Sequence, residues 1–258
     1  MGDPRHVRPS VTARALAILE AFTAERRVLT LSEISRRAGM PLTTAHRLVR
    51  ELAEWGALER SDAGYRIGLR LWEVGSLAPR SVGLREAGLP FLEDLYEATH
   101  ENVQLAVRDG VEVVYVERIS GHGAISILSR VGGRFALHAT GVGLVLLAHA
   151  DPEVQEQVLA LPLRRYTPYT IVDPKRLRRV LQEVRLTGVA ISDRQVTPDA
   201  LSVAAAVRGP GDEVVASLSI VVPSEGAEPR TLVPAVRAAA RGVSRALGAP
   251  SAGSRART

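Results

Sequence analysis

The segment GMPLTTAHRLVRELAEWG, from Gly39 to Gly56, carries side chains suited to gripping a polyanion. Leu42, Ala45, Leu48, Val49 and Leu52 recur at helical spacing and mark an apolar face. Thr43, Arg47, Arg50 and Glu54 mark the opposite face, with Thr44 and His46 beside them. Arginine binds guanine O6 and N7 bidentately, and threonine touches a thymine methyl or a phosphate. Such a helix is suited to base edges and phosphates.

Bond-breaking chemistry has little support by comparison. The chain contains no G-x-S-x-G elbow, no phosphate-binding P-loop and no G-x-G-x-x-G. It has no cysteine, which excludes disulfides, thiolate metal sites and cysteine nucleophiles. The six histidines, His6, His46, His100, His122, His138 and His149, lack metal-type spacing, and His138 reads as a structural residue holding a turn. No metal and no cofactor is expected. An enzyme whose N-terminal part serves assembly is the less favoured alternative, because no nucleophile–base pair is apparent.

The elements that must position the helix are legible around it. Before it, Thr30 and Glu33 form a capping box, Leu29 and Ile34 can form a hydrophobic staple, and Gly39 is placed as a left-handed terminator. This predicts a short helix over 31–38, followed at once by the Gly39–Gly56 helix, which is helix-turn-helix spacing. An earlier helix from Ser10 to Phe22 is expected to bury Val11, Ala15, Leu19 and Phe22. After it, a strand at 57–60, a turn at 61–64 and a strand at 65–67 make a wing, with Arg60 and Arg66 available to phosphates. The reading is a winged helix-turn-helix over 10–68, preceded by a flexible arm at 1–9 whose Arg5 and Arg8 add phosphate contacts.

Charge supports the division. Residues 1–70 hold 12 arginines against 8 acidic groups, whereas the remainder holds 21 basic and 20 acidic groups. A basic head on a near-neutral body suggests a polyanion-binding head and a separate body, and the helix-turn-helix makes double-stranded DNA the expected partner. No apolar run approaches the roughly 18 residues of a membrane span, and the N-terminus lacks the apolar stretch of a signal peptide. The expected compartment is the cytoplasm, with no membrane partner.

Residues 69–84 read as a linker, with a helix near 69–78. Pro79, Gly83, Gly88 and Pro90 are expected to interrupt any long helix, leaving a second one over 84–99 with Leu89, Leu92, Leu95 and Tyr96 buried. Leu69, Leu71, Trp72 and Leu77 suit packing on a second copy of the chain, or capping of their own domain. The body, 85–248, is expected to be α+β with a mostly antiparallel sheet. Its strands are a hairpin around an Asp109-Gly110 type I′ turn, one strand near 124–129, and three in GVAISDR, LSVAAAVRG and EVVASLSIVV. Helices follow Thr140 and Asp173-Pro174 and cover about 230–247, before a disordered tail at 249–258. In RVGGRFALHATGVGLVLLAHA, Thr140 caps a helix whose Gly141 and Gly143 leave first-turn amides accessible to an anion. Equally, those small residues allow close packing on the sheet.

Taken together, SVTARALAILEAF, LTLSEISRRAGMPLTTAHRLVRELAEWGALER, GYRIGLRLWEVG, GGRFALHATGVGLVLLA, GVAISD, LSVAAAV and VVASLSIVVP resemble, in order, blocks of the IclR family of bacterial transcription regulators over about 10–250. The resemblance implies a winged helix-turn-helix, a linker helix and a C-terminal effector domain related to the GAF fold. It implies homodimers or dimers of dimers on palindromic operators, repressing or activating in response to an organic acid or aromatic catabolite. It places an effector pocket between Leu128, Val131, Thr140, Gly141 and Val142 on one side and Ser192, Asp193, Ala200, Ser202 and Ser219 on the other. The chain departs from the family pattern at Leu144, where a lysine is usual, at Ser202, where a cysteine is common, at Asp199, where a glycine is usual, and in RQVTP. A body that only dimerises is the alternative to an effector-responsive one.

Overall fold

The computed structural model describes residues 9–250 except 24, 78 and 122, with residues 79–82 described by backbone alone. The arm at 1–9 with Arg5 and Arg8, the tail at 249–258, His6 and His122 therefore lie outside the described residues, apart from residues 9, 249 and 250. Ala249 is buried and its amide donates to the Ser244 carbonyl at 2.9 Å, so packing continues past the expected end of the body. The chain divides into two compact units, Met1–Val82 and Gly83–Thr258, a boundary inside the segment read as a linker.

In the first unit, α1 (Val11–Glu20), α2 (Leu31–Arg37) and α3 (Leu42–Trp55) precede a hairpin of β1 (Leu58–Ser61) and β2 (Gly64–Ile67), then α4 (Leu69–Gly75). Each start and stop has a local cause. The Thr30 hydroxyl accepts from the Glu33 amide, and the Glu33 carboxylate accepts from the Thr30 amide at 2.9 Å. Leu29 and Ile34 are both fully buried, and Gly39 takes a φ of +63°. Leu29 also exchanges both backbone hydrogen bonds with Tyr65, adding a bridge to the wing. The core joins Ile18, Ala21, Leu29, Ile34, Ala45, Leu48, Val49 and Leu58.

Two expected core positions are solvent-facing. Val11 on α1 is exposed because that helix docks through its C-terminal half, at Ile18 and Ala21. Leu42 is exposed because it opens α3 before the buried stripe begins at Ala45.

The second unit is a six-stranded antiparallel sheet, ordered β5-β4-β3-β8-β7-β6, with helices on both faces. Its strands are β3 (Asn102–Asp109), β4 (Glu112–Ile119), β5 (Arg134–Ala136), β6 (Val189–Asp193), β7 (Ala200–Arg208) and β8 (Val214–Pro223). On one face, α5 (Pro79–Thr99) and α9 (Pro229–Ala246) bury Leu92, Leu95, Val236 and Val243 against Leu105, Val203 and Leu218. On the other, α6 (Gly141–Ala148), α7 (Pro152–Ala160) and α8 (Pro174–Thr187) bury Leu144, Leu147, Val158, Leu177 and Leu181 against Ala106, Val113 and Ala204.

The structure corrects four sequence expectations here. First, α5 starts at Pro79, ahead of the expected 84, and runs through Gly83 and Pro90 without a break. Proline removes one helical hydrogen bond, but Leu84, Gly88, Leu92 and Leu95 around it are buried, and tertiary packing carries the helix through. Second, the hairpin loop is Gly110-Val111, because Asp109 pairs with Glu112. Gly110 has a φ of +59° and Val111 is not in the positive region, which fits a type II′ turn in place of type I′. Third, 124–129 is not a strand; β5 at Arg134–Ala136 occupies the edge beside β4. Fourth, α7 has no counterpart in the sequence reading.

The missing strand has a physical explanation. Side chains serve the backbone at 125–129 where a ladder would have done so. Asn102 Nδ2 donates to the Ile125 carbonyl at 2.8 Å, and Arg118 Nη1 donates to the Ser129 carbonyl at 2.7 Å. Gln104 Nε2 donates to Ser129 Oγ at 2.6 Å. Buried backbone groups need partners from some source.

The start of α6 is tight. The Thr140 hydroxyl accepts from the Gly143 amide at 3.0 Å. A Cβ at Gly143 would lie 2.3 Å from the Leu137 carbonyl oxygen and 2.6 Å from Thr140 Oγ1.

Two outcomes follow for stability in urea. Gly143→Ala overpacks the start of α6 and lowers the unfolding free energy by roughly 1–3 kcal/mol. Thr30→Ala removes a helix cap and costs about 1 kcal/mol at neutral pH. The Thr30 hydrogen bonds hold the Glu33 carboxyl below its ordinary 4.5. Its contribution is therefore present above that value and is lost as pH falls through the lowered pKa. The gap between wild type and variant narrows in acid without closing, because the Thr30 hydroxyl still accepts the Glu33 amide after its bond to the carboxylate is lost; a gap that does not change with pH would contradict the Glu33 contribution.

Candidate functional site

The first candidate site is the outer face of α3. Burial of Ala45, Leu48 and Val49 turns Thr43, His46, Arg47 and Arg50 to solvent, with Thr44 half-buried. The first-turn amides of a helix have no intrahelical acceptor, and Pro41, which precedes α3, supplies no side-chain cap for them. Arg47 Nη1 pairs with Glu51 Oε1 at 2.6 Å and Arg50 Nε with Glu54 Oε1 at 3.3 Å. Exposed pairs of this spacing are weak and exchange readily for another anion.

On the wing, Arg60 and Arg66 are both exposed, but strand register separates them. Arg60 pairs across the hairpin with Tyr65, whereas Arg66 pairs with Glu59. Neighbouring residues of a strand point to opposite faces, so the two arginines do not share one. Residue type and spacing alone group them.

The second candidate site is a cavity in the body, measuring about 50 Å³ and lying in a concavity of about 440 Å³ that includes open solvent. Six of the residues expected there line it: Leu128, Thr140, Gly141, Ser192, Ala200 and Ser202. Four do not. Val142, on α6, is buried in the core, and Val131 is exposed. Asp193 is held in a bracket with Arg194, at 3.0 and 2.8 Å, and with the Ser224 hydroxyl at 2.6 Å. Arg194 and Ser224 hold its carboxyl below the ordinary carboxylate range. Ser219 is fully buried one layer behind, its hydroxyl donating to Gln104 Oε1 at 3.4 Å. Of the departures from the family pattern, Leu144 lies in the core and Asp199 is exposed, whereas Ser202 and Gln195, Val196 and Thr197 of RQVTP line the cavity.

The cavity also takes in residues the sequence reading missed, chiefly Gln104, Tyr115, Ser129, Phe135, Gln195 and Thr197. Gln104 had a signal: it is a polar residue amid the apolar alternation of NVQLAV. Tyr115 and Arg118 had none. Ala106 pairs with Tyr115 but Leu105 pairs with Glu117, so Val116 is an extra residue on β4. This bulge changes the strand's alternation. Arg118 then stands opposite Gln104, on the same face as Tyr115.

The lining is neutral. Among the described residues no Asp, Glu, Lys, Arg or His side chain borders the cavity. Tyr115 shares a hydrogen bond with Thr140, and burial pushes its phenol well above the ordinary range, so it stays protonated. The Ser192 hydroxyl is committed to the Ala139 carbonyl at 3.1 Å. Ser202 Oγ lies against the start of α6, 2.7 Å from where a Cβ on Gly141 would be. Polar recognition here falls to hydroxyls, amides and the opening turn of α6. His138 is buried outside the cavity lining, and its Nε2 meets the Arg164 carbonyl at 3.0 Å. Among the described residues no group of three or more His, Asp or Glu could hold a metal, and no helix is long and apolar enough to cross a membrane.

Comparison with known proteins agrees with this architecture. Residues 11–62 match the IclR helix-turn-helix domain, and residues 78–245 match the bacterial transcriptional regulator IclR C-terminal domain. The HTH-type transcriptional regulator BhcR of Paracoccus denitrificans is 33% identical over 214 residues, covering 82% of this chain and 76% of that protein. The HTH-type transcriptional regulator XynR of Escherichia coli is 30% identical over 244 residues, covering 92% and 97%. The crystal structure of an IclR homolog complexed with 4-hydroxybenzoate, from Microbacterium hydrocarbonoxydans, is 41% identical with a TM-score of 0.88, covering 92% of this chain and 99% of that one. Two family models that together span most of the sequence, and relatives that are regulators by name, lead to one conclusion: the chain belongs to the IclR family of bacterial transcription regulators and is a helix-turn-helix DNA-binding regulator, not an enzyme.

Proposed function

We propose that this regulator binds a palindromic operator as a homodimer or dimer of dimers, and that a small organic effector in the body cavity alters its hold on DNA. The observation that carries the first half is the polar stripe of α3, turned to solvent while its other face is buried. Thr43, Thr44, His46, Arg47 and Arg50 read base edges and phosphates, and the wing adds a phosphate contact. Two heads enter successive major grooves, roughly 34–36 Å apart. Leu69, Trp72, Val74 and Leu77 on and after α4 are exposed, Trp72 by 67%, and suit coverage by a second copy.

The effector half is supported by the cavity lined by Thr140, Gly141, Ser192 and Ser202, and by the 4-hydroxybenzoate of the similar Microbacterium protein. A carboxylate or phenol is the fitting chemistry: an anion at the first-turn amides of α6, and a ring against Tyr115, Phe135 and Leu128. Ligand pockets usually reach about 300–1,000 Å³. At about 50 Å³ the cavity holds a small acid as it stands and takes an aromatic one by outward movement of 127–129. The same small volume favours the second reading, a body that only dimerises.

Arg47→Ala lowers operator affinity by roughly 1–3 kcal/mol and relaxes base preference if Arg47 reads a base. Weakening that is uniform across sequences would assign it to phosphate. A footprint untouched by Arg47→Ala, Thr43→Ala and Arg50→Ala together would refute the α3 assignment. For the cavity, thermal unfolding is titrated with small carboxylates and phenols, 4-hydroxybenzoate included. A ligand at a hundred times its Kd stabilises by about 2.7 kcal/mol. Ser202→Leu abolishes the shift without unfolding the body. A folded protein that no candidate stabilises supports the dimerisation-only reading.

A further inference from the structure

The wing carries two arginines on opposite faces, and their surroundings differ. Arg66 Nε and Nη2 both reach Glu59 Oε2, at 3.0 and 2.9 Å. The other oxygen, Glu59 Oε1, accepts the Leu69 amide at 3.0 Å. Leu69 is the first residue of α4, whose N-cap is Gly68, with no hydroxyl or carboxylate of its own to offer. The wing therefore supplies the cap that the local sequence lacks. Arg60 stands across from Tyr65 and makes no hydrogen bond or ion pair among the described residues.

We propose that the two arginines divide the work of the wing: Arg60 meets the DNA backbone, while Arg66 is a positioning residue that holds the start of α4 through Glu59. This rests on the reading of the head as a DNA-binding wing. The competition is electrostatic. A guanidinium that left Glu59 for a phosphate would withdraw its charge from the carboxylate capping α4, whereas Arg60 engages a phosphate at no such cost. The Glu59 carboxyl lies below its ordinary range, held there first by the Leu69 amide and then by Arg66.

The rest of the joint is equally specific. The Gly68 amide donates to the Ala57 carbonyl at 2.8 Å, and a Cβ on Gly68 would lie 2.1 Å from the Gly56 carbonyl oxygen. Arg70 Nη1 donates to the Trp55 carbonyl at 3.2 Å, and its guanidinium lies 4.7 Å over the Trp55 ring. α4 is thus hung on the C-terminal end of α3 and the base of the wing. Its direction decides where the exposed Leu69 and Trp72 are presented.

The test uses the full chain and a random-sequence duplex, measuring affinity against salt and hydrogen exchange at the Leu69 amide. Arg60→Ala flattens the log–log salt slope by about 0.9, one phosphate contact, and leaves Leu69 exchange alone. Arg66→Ala leaves the slope in place and speeds Leu69 exchange several-fold; Arg66→Lys restores part of the protection. In a Glu59→Ala background, Arg66→Ala adds nothing further. Glu59→Gln, which keeps an oxygen for the amide, serves if Glu59→Ala fails to fold. The proposal is overturned if Arg66→Ala flattens the slope as Arg60→Ala does, or if Leu69 exchange ignores Arg66 while Glu59 is present. If neither wing arginine moves the slope while Arg47→Ala does, the Arg60 assignment falls and the α3 reading stands. If none of the three moves it, the Arg60 assignment falls as well; if the wild-type protein itself shows no salt slope on the duplex, the reading of the head as a DNA-binding wing fails.

Discussion

The rotation of α3 about its own axis is the constraint on which the head depends. Ala45, Leu48 and Val49 are buried among α1, α2 and the wing. That burial leaves one orientation in which Thr43, His46, Arg47 and Arg50 face outward. The apolar contacts carry no information about DNA, yet they decide which side chains a duplex can meet. Secondary contacts reinforce the arrangement: Arg37 Nε donates to the Ala21 carbonyl at the end of α1 at 2.8 Å, and Leu29 bridges to Tyr65. A head this small has few buried side chains to spare, so each helix is fixed by a cap, a terminator and a short apolar stripe.

In the body, the sheet has two apolar faces and helices on both, yet a polar network crosses one of them. Asn102, Gln104, Ser129 and Ser219 are buried, and each has a hydrogen-bond partner. Arg118 joins them through the Ser129 carbonyl and Asn102 Oδ1, with its Nε left as a buried atom without a partner. Buried polar groups need such satisfaction, because each orphan is costly. The network replaces a strand with a side-chain-held segment, and that segment supplies Ile127, Leu128 and Ser129 to the cavity. On the opposite rim, Thr167 and Thr170 hydroxyls donate to the Arg194 and Gln195 carbonyls, both at 2.6 Å, and fix the turn that contributes Gln195 and Thr197. Two rims of the cavity are thus loops held by side chains, set against the sheet and the opening of α6.

The neutrality of that cavity shapes what it can select. A site with a fixed cation would favour any anion of suitable size. A site of amides, hydroxyls and two aromatic rings discriminates by shape and by hydrogen-bond direction, since an unmatched buried donor or acceptor costs more than a matched one contributes. Asp193, the one charged residue expected there, is spent instead on Arg194, whose guanidinium lies 4.2 Å over the Tyr169 ring.

By itself the sequence determined whatever depends on neighbours along the chain. The capping box at Thr30 and Glu33, the terminator at Gly39, the order of α2, α3 and wing, and the cap at Thr140 are short-range, and residue type and spacing specify them. The family blocks added six residues that do meet at the cavity. Tertiary structure alone decided what depends on distant partners. Packing carried α5 through Pro90, where local propensity expects a break. An extra residue at Val116 put Tyr115 and Arg118 on one face, although strand alternation would separate them. Hairpin register put Arg60 and Arg66 on opposite faces and gave Glu59 to the Leu69 amide ten residues on. These outcomes turn on pairing register and close packing between segments far apart in the chain, which no local pattern encodes.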